Sequence, residues 1–206
     1  MDTLINALVA VGTLAVAILA IWGARIRSVL APPMLVIEPH NLSGDPTELR
    51  RVDQPQGQGN RVLYFHLKVV NKRPWLPVEN CSVFLRGLSR RGPDGMFHPV
   101  QMHVPLQYVW APAEITPPTV TLTKEQVLDF GHLIEGADKF VPVLYSYSHN
   151  FQGTVGRGEA LRYQLEVRGS NFSSKRYQVF EVAWDGNWSY IPTDMEQHLR
   201  IREIEF

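Results

Sequence analysis

Seven histidines, His40, His66, His98, His103, His132, His149 and His198, are the residues of this chain best suited to metal or acid–base chemistry, and they are scattered. His98 and His103 stand five apart in a stretch that reads as a strand, where an odd spacing sends two side chains to opposite faces. That is poor geometry for one metal ion. The single Cys81 supplies no paired thiolate, and no His-Glu-x-x-His run occurs. Gly153-Thr154-Val155-Gly156-Arg157-Gly158 is glycine-rich, but neither a Lys-Ser/Thr pair nor a helical pattern follows, so the parts of a phosphate loop are missing. A Gly-x-Ser-x-Gly elbow for a serine nucleophile is also missing. The expectation is a protein that is not an enzyme, with no metal and no cofactor.

Charge and aromatic residues suggest binding instead. Lys72, Arg73, Arg86, Arg90 and Arg91 cluster around two turns. The ordinary reading is a solvated loop surface; the functional one is a basic patch that meets a partner, anionic headgroups or a negatively charged ligand. Trp184 and Trp188, in Trp-Asp-Gly-Asn-Trp-Ser-Tyr, read either as an exposed binding tip or as core and rim residues of a sheet. Lys plus Arg number 20 and Asp plus Glu number 20, so no global field points to nucleic acid. Asn41, Asn80, Asn171 and Asn187 lie in Asn-x-Ser sequons, which matter only if the domain faces a secretory lumen.

The element that must position any such surface comes first in the chain. From Leu4 to Trp22 runs LINALVAVGTLAVAILAIW, without a charge and with only Asn6 and Thr13 polar. At about 1.5 Å rise per residue this stretch makes a rod of roughly 28 Å, close to the hydrocarbon thickness of a bilayer. A buried soluble helix would carry a polar face, and a cleaved secretory leader would begin with Lys or Arg rather than Met1-Asp2-Thr3. Trp22 stands where an interfacial anchor belongs, followed by Arg25 and Arg27. The expected layout is a transmembrane helix over 1–24, a juxtamembrane linker over 25–33 and a β-domain over 34–206. The two arginines keep that domain in the cytoplasm, with the protein in the inner (plasma) membrane. Asn6, Ala10, Thr13, Ala17, Ala20 and Ala24 recur at steps of four and three, forming a seam of small or weakly polar residues. Helices in lipid associate by close backbone approach and side-chain hydrogen bonds, so the seam predicts self-association or docking on a membrane protein partner.

The rest of the chain reads as strands. Fifteen Pro, fifteen Gly and many Val, Tyr and Phe suit short strands joined by turns, and one cysteine excludes an internal disulfide. Met34–Glu38 reads as a first strand, and 41–60 as a long polar loop. In RVLYFHLKVVN, Leu63, Phe65, Leu67 and Val69 alternate with Tyr64, His66 and Lys68, the mark of a half-buried strand. Cys81, Val83 and Leu85 share a face of the next strand, and Ser89 to Gly95 is a hairpin turn. MFHPVQMHV and PLQYVWAP carry prolines that suit edge strands. Ser148–Gly158 reads as a second loop. EALRYQLEVRG and SKRYQVFEVAW form the clearest hairpin, and Leu199/Ile201 against Ile204/Phe206 predicts a bulge at Arg202-Glu203. About nine strands, with no long amphipathic helix after the first, predict an all-β antiparallel sandwich of immunoglobulin-like type behind one transmembrane helix.

VVNKRPWLPVENCSVFL resembles the strand–turn–strand signature of immunoglobulin-like bacterial modules of the CARDB type, with LDFGHL (Leu128 to Leu133) as a weaker second match. It departs from the pattern in carrying Trp75 and two prolines where a glycine-containing turn is usual. The resemblance covers about twenty residues and implies a β-sandwich without implying an activity. The expected function is a membrane-anchored accessory or assembly subunit that binds protein partners. The alternative is a sensor–effector whose sandwich binds a small anionic signal and whose helices cluster to perturb the lipid bilayer, as in bacterial defence.

Overall fold

In a computed structural model, residues 2–30, 32–49, 59–170, 172–174 and 176–204 are described. The first element, α1 (Asp2–Leu30), is a single 29-residue helix. It therefore continues past residue 24 through most of the stretch expected to be a linker, which has no proline before Pro32 to stop it. Within it, Thr3–Gly23 is long and apolar enough to cross a membrane, and none of its most apolar 18-residue window is buried.

The strands follow as β1 (Leu35–Leu49), β2 (Asn60–Asn71), β3 (Val78–Arg91), β4 (Phe97–Val100), β5 (Leu106–Gln107), β6 (Val109–Trp110) and β7 (Val120–Leu122). After them come β8 (Glu125–Ile134), β9 (Lys139–Pro142), β10 (Val155–Gly156), β11 (Ala160–Gly169), β12 (Phe172–Ser173) and β13 (Gln178–Trp184). A short helix, α2 (Pro192–His198), precedes β14 (Leu199–Ile204). Two antiparallel sheets result. One runs β1-β2-β8-β9-β10 with β6 on β8, and the other runs β14-β13-β11-β3-β4 with β5 and β7 on β3 and β12 on β11. The chain is thus a mostly-β sandwich behind one apolar helix.

Period-two patterns were realised where one face is buried. Leu63, Phe65, Leu67 and Val69 are fully buried, as are Cys81, Val83 and Leu85 on β3. β11 and β13 pair from Ala160↔Ala183 to Leu165↔Gln178, and β4 with Pro99 closes an edge. Three expectations fail. Residues 41–49 are not loop but the second half of β1, which absorbs its turn residues through register shifts at Pro39/Asn41 and Asn41/Asp45. The described residues form fourteen strands, because short segments such as β5, β6 and β7 pair beside long ones. No bulge interrupts β14, which pairs in register from Trp184↔Leu199 to Val179↔Ile204. Phe206 lies outside the described residues.

Phe130 joins the two sheets. Its ring meets Tyr108 at 5.9 Å and Phe140 at 6.0 Å, and crosses to Tyr163 at 5.5 Å and Phe180 at 6.0 Å on the other sheet. Opposite Phe65, the pairing of β2 with β8 slips from Phe65↔Gly131 to His66↔Asp129, leaving Phe130 as the extra residue of a bulge. That slip turns Phe130 and Leu128 inward and Asp129 outward. Gly131 is required beside it, since a Cβ there would lie 2.1 Å from the Phe140 ring.

Candidate functional site

On the outer face of the β1-β2-β8 sheet lies a cleft of about 560 Å³. Its floor is Tyr64, His66, Val127 and Asp129, and its walls include His40, Asp45, Glu48 and the Ala111–Glu114 segment, entered by a cis Ala111–Pro112 bond. The strand alternation that buries Phe65 and Leu67 puts Tyr64 and His66 on this face, and the β8 bulge delivers Asp129 opposite His66.

His66 lies between two carboxylates. Its Nε2 is 3.0 Å from Asp45 Oδ2, and its Nδ1 is 3.0 Å from Asp129 Oδ1. The second approach is off-line, so Nδ1 has ion-pair proximity without a proper hydrogen bond. Asp45 is steadied further by the Asn41 amide, which donates at 2.6 Å. Tyr64 stacks over His66 with ring centres 6.5 Å apart and leans on His132 at 5.4 Å. Lost hydration raises the Tyr64 phenol above its ordinary value, and the carboxylates of Asp129 and Glu114 push it further. Four acidic residues line the cleft, and no Lys or Arg is among its described lining residues. Such a surface suits a cationic group, held by carboxylates and by the face of Tyr64.

Beside the cleft, His132 is half-buried, and desolvation holds its imidazole below the ordinary 6.5 against the opposing pull of Asp129. The unfolded chain therefore takes up this proton before the folded one does. Stability from this group is complete above pH 6.5 and is lost as pH falls below it through the lower folded value. His132→Gln should flatten the decline in urea midpoint between pH 7.5 and 5.5; an unchanged decline would show that other groups cause it.

The residues singled out from the sequence lie elsewhere. Asn6, Ala10, Thr13, Ala17 and Ala20 are exposed along α1, but Thr13 Oγ1 donates to Val9 O at 2.8 Å within its own helix. Trp22 is half-exposed, and the side chains of Ala24, Arg25 and Arg27 lie outside the described ones. The five cations do not form one patch, because Lys72 and Arg73 precede β3 while Arg90 and Arg91 end it. Lys72 pairs with Glu38, Arg73 Nη1 donates to Pro32 O at 2.6 Å, and Arg86 Nε lies 3.0 Å from the buried Glu166. Arg90 pairs with Glu159 and donates to Gln152 O at 2.8 Å; Arg91 is exposed. Trp184 is not an exposed tip: it is 2% exposed, with its indole N–H donating to Asn187 O. Trp188 is half-buried and packs against the core. Sequence reading missed the cleft, whose only local signal is the polar face Tyr64-x-His66 of a half-buried strand. A comparison with protein-family models finds no match, and a comparison with curated proteins finds none.

Proposed function

We propose that this chain is a single-pass membrane-anchored, immunoglobulin-like module of the CARDB type that works by binding, holding a protein partner at the plasma membrane as an accessory or assembly subunit. The observation that carries this reading is the uncovered apolar stretch Thr3–Gly23, fused to a sandwich whose own core is closed. A soluble protein would bury such a surface, whereas lipid requires it. Arg25 and Arg27 favour a cytoplasmic sandwich. The cleft offers the partner a place for a basic side chain. Binding is favoured over catalysis because both His66 ring nitrogens face carboxylates of the protein, leaving neither turned to a substrate.

The sensor–effector alternative draws support from the cleft's volume, which suits a small molecule. Its ligand would then be cationic rather than anionic. Purification of the full chain from its native membrane in mild detergent separates the two readings. Wild type should carry a stoichiometric foreign subunit, and Asp45→Asn with Glu114→Gln should reduce its yield about tenfold, the equivalent of about 1.4 kcal/mol. A homo-oligomer with no foreign subunit would overturn the accessory role and favour the sensor.

A further inference from the structure

The turn between β2 and β3 presents its apolar residues outward although it is tightly braced. Trp75 is 61% exposed and Pro74 is exposed beside it. Asn71 holds the turn from within: its side-chain amide donates to Leu76 O at 2.8 Å, and its side-chain oxygen accepts from Arg73 N at 2.9 Å. Leu76 N also donates to Arg73 O at 2.9 Å. A braced turn that exposes a tryptophan does not do so through slackness.

This turn is tied to the point where α1 enters the sandwich. Lys72 N donates to Met34 O at 2.8 Å and the Arg73 guanidinium donates to Pro32 O at 2.6 Å. Pro32 and Met34 are themselves exposed, so Pro32, Met34, Pro74 and Trp75 make one apolar rim. The rim cannot lie far from a membrane that holds α1. Leu30, where α1 ends, is seven residues beyond Gly23 and so roughly 10 Å of helical rise, the two further steps to Pro32 add at most about 7 Å, and tilt shortens that height. The headgroup layer fills roughly the first 5–7 Å, and an indole ring reaches much of the remainder.

We infer that the rim of Pro32, Met34, Pro74 and Trp75, flanked by Lys72 and Arg73, seats the sandwich on the anionic headgroup layer of the bilayer that holds α1. The inference rests on the anchored reading of the helix. Tryptophan is suited to that layer because its ring is apolar and its N–H is polar. The Arg73 contact with Pro32 is to a neutral carbonyl, so the guanidinium keeps its charge for lipid phosphate. Docking in this way fixes the height and direction of the cleft above the membrane, which a free tether would leave undefined.

Site-directed spin labels on the full chain in vesicles test it, with phosphatidylcholine alone or mixed with phosphatidylglycerol. Labels replace Trp75, Met96 or Leu14 as Trp75→Cys, Met96→Cys and Leu14→Cys. The native Cys81 stays unlabelled, since it is fully buried and its thiol is pushed up to about 12. Met96 is exposed beyond the far end of β3, roughly 40 Å away along the strand. In anionic vesicles the label at 75 should favour oxygen over a water-soluble nickel relaxant, relative to the label at 96. Arg73→Gln should lower the docked-to-free ratio about fivefold, and Lys72→Gln, whose ammonium is already paired with Glu38, should lower it less. A label at 75 as watery as the one at 96, with the label at 14 deep in hydrocarbon, overturns docking and leaves the anchor standing. A label at 14 in water overturns both.

Discussion

Phe130→Ala should destabilise the sandwich by about 3–5 kcal/mol, a large share of the roughly 5–15 kcal/mol by which such domains are stable. The ring touches four others and links β8 to β11 and β13, so its removal opens a cavity that neither sheet can collapse into without the other. The effect also reaches the cleft. Phe130 is the extra residue of the bulge, and its burial is what keeps Asp129 turned toward His66. Urea unfolding of the full chain in detergent, followed by far-ultraviolet circular dichroism, gives the difference. Phe151→Ala is the reference, because that ring is half-buried and meets Tyr147 at the edge of the core. A Phe130 variant no weaker than the Phe151 variant would refute the account of Phe130 as the link between sheets.

The second large effect concerns the helix. Leu14→Arg places a charge near the middle of Thr3–Gly23, where arginine costs about 2.5–3.5 kcal/mol and leucine contributes about half a kcal/mol favourably. The swing of about 3 kcal/mol corresponds to more than about a hundredfold in the insertion equilibrium. The fraction resisting alkaline carbonate extraction should fall accordingly, whereas Met34→Arg, exposed and beyond the span, should extract like wild type. Equal resistance for both variants would mean that the apolar stretch is not what holds the protein to the membrane.

These two experiments also mark where sequence and tertiary structure divide the work. The helix was legible because an uncharged run of this length has few ways to be satisfied, and the requirement is met by one segment alone. The strands β2, β11 and β13 were legible because a half-buried strand writes its period into the chain. Leu161, Tyr163, Leu165 and Val167 are indeed all buried. β1 was harder. Its Gly44-Asp45-Pro46 has the composition of a turn, yet β2 beside it supplies pairing partners that carry the strand through to Leu49. Trp184 and Trp188 read either as a tip or as core and rim from the sequence, since an Asp-Gly turn marks exposure of the backbone and says nothing of where the flanking rings go; the structure takes the core-and-rim alternative.

Beyond the polar face Tyr64-x-His66, the cleft was not legible. Asp45, His66 and Asp129 come from three strands, and strict alternation along β8 from Leu133 through Gly131 would have sent Asp129 into the core. Only the bulge opposite Phe65 reverses its direction. The paired cations were equally hidden, because each partner stands far along the chain, as Arg86 does from Glu166. By itself, then, the sequence determined what each segment could satisfy alone: an apolar rod long enough to cross a membrane, alternating strands for a sandwich, and no recognisable catalytic motif. Register, the bulge and the pairing of distant charges were decided by the packing of the two sheets. A cross-strand contact has no energy until both strands are in place.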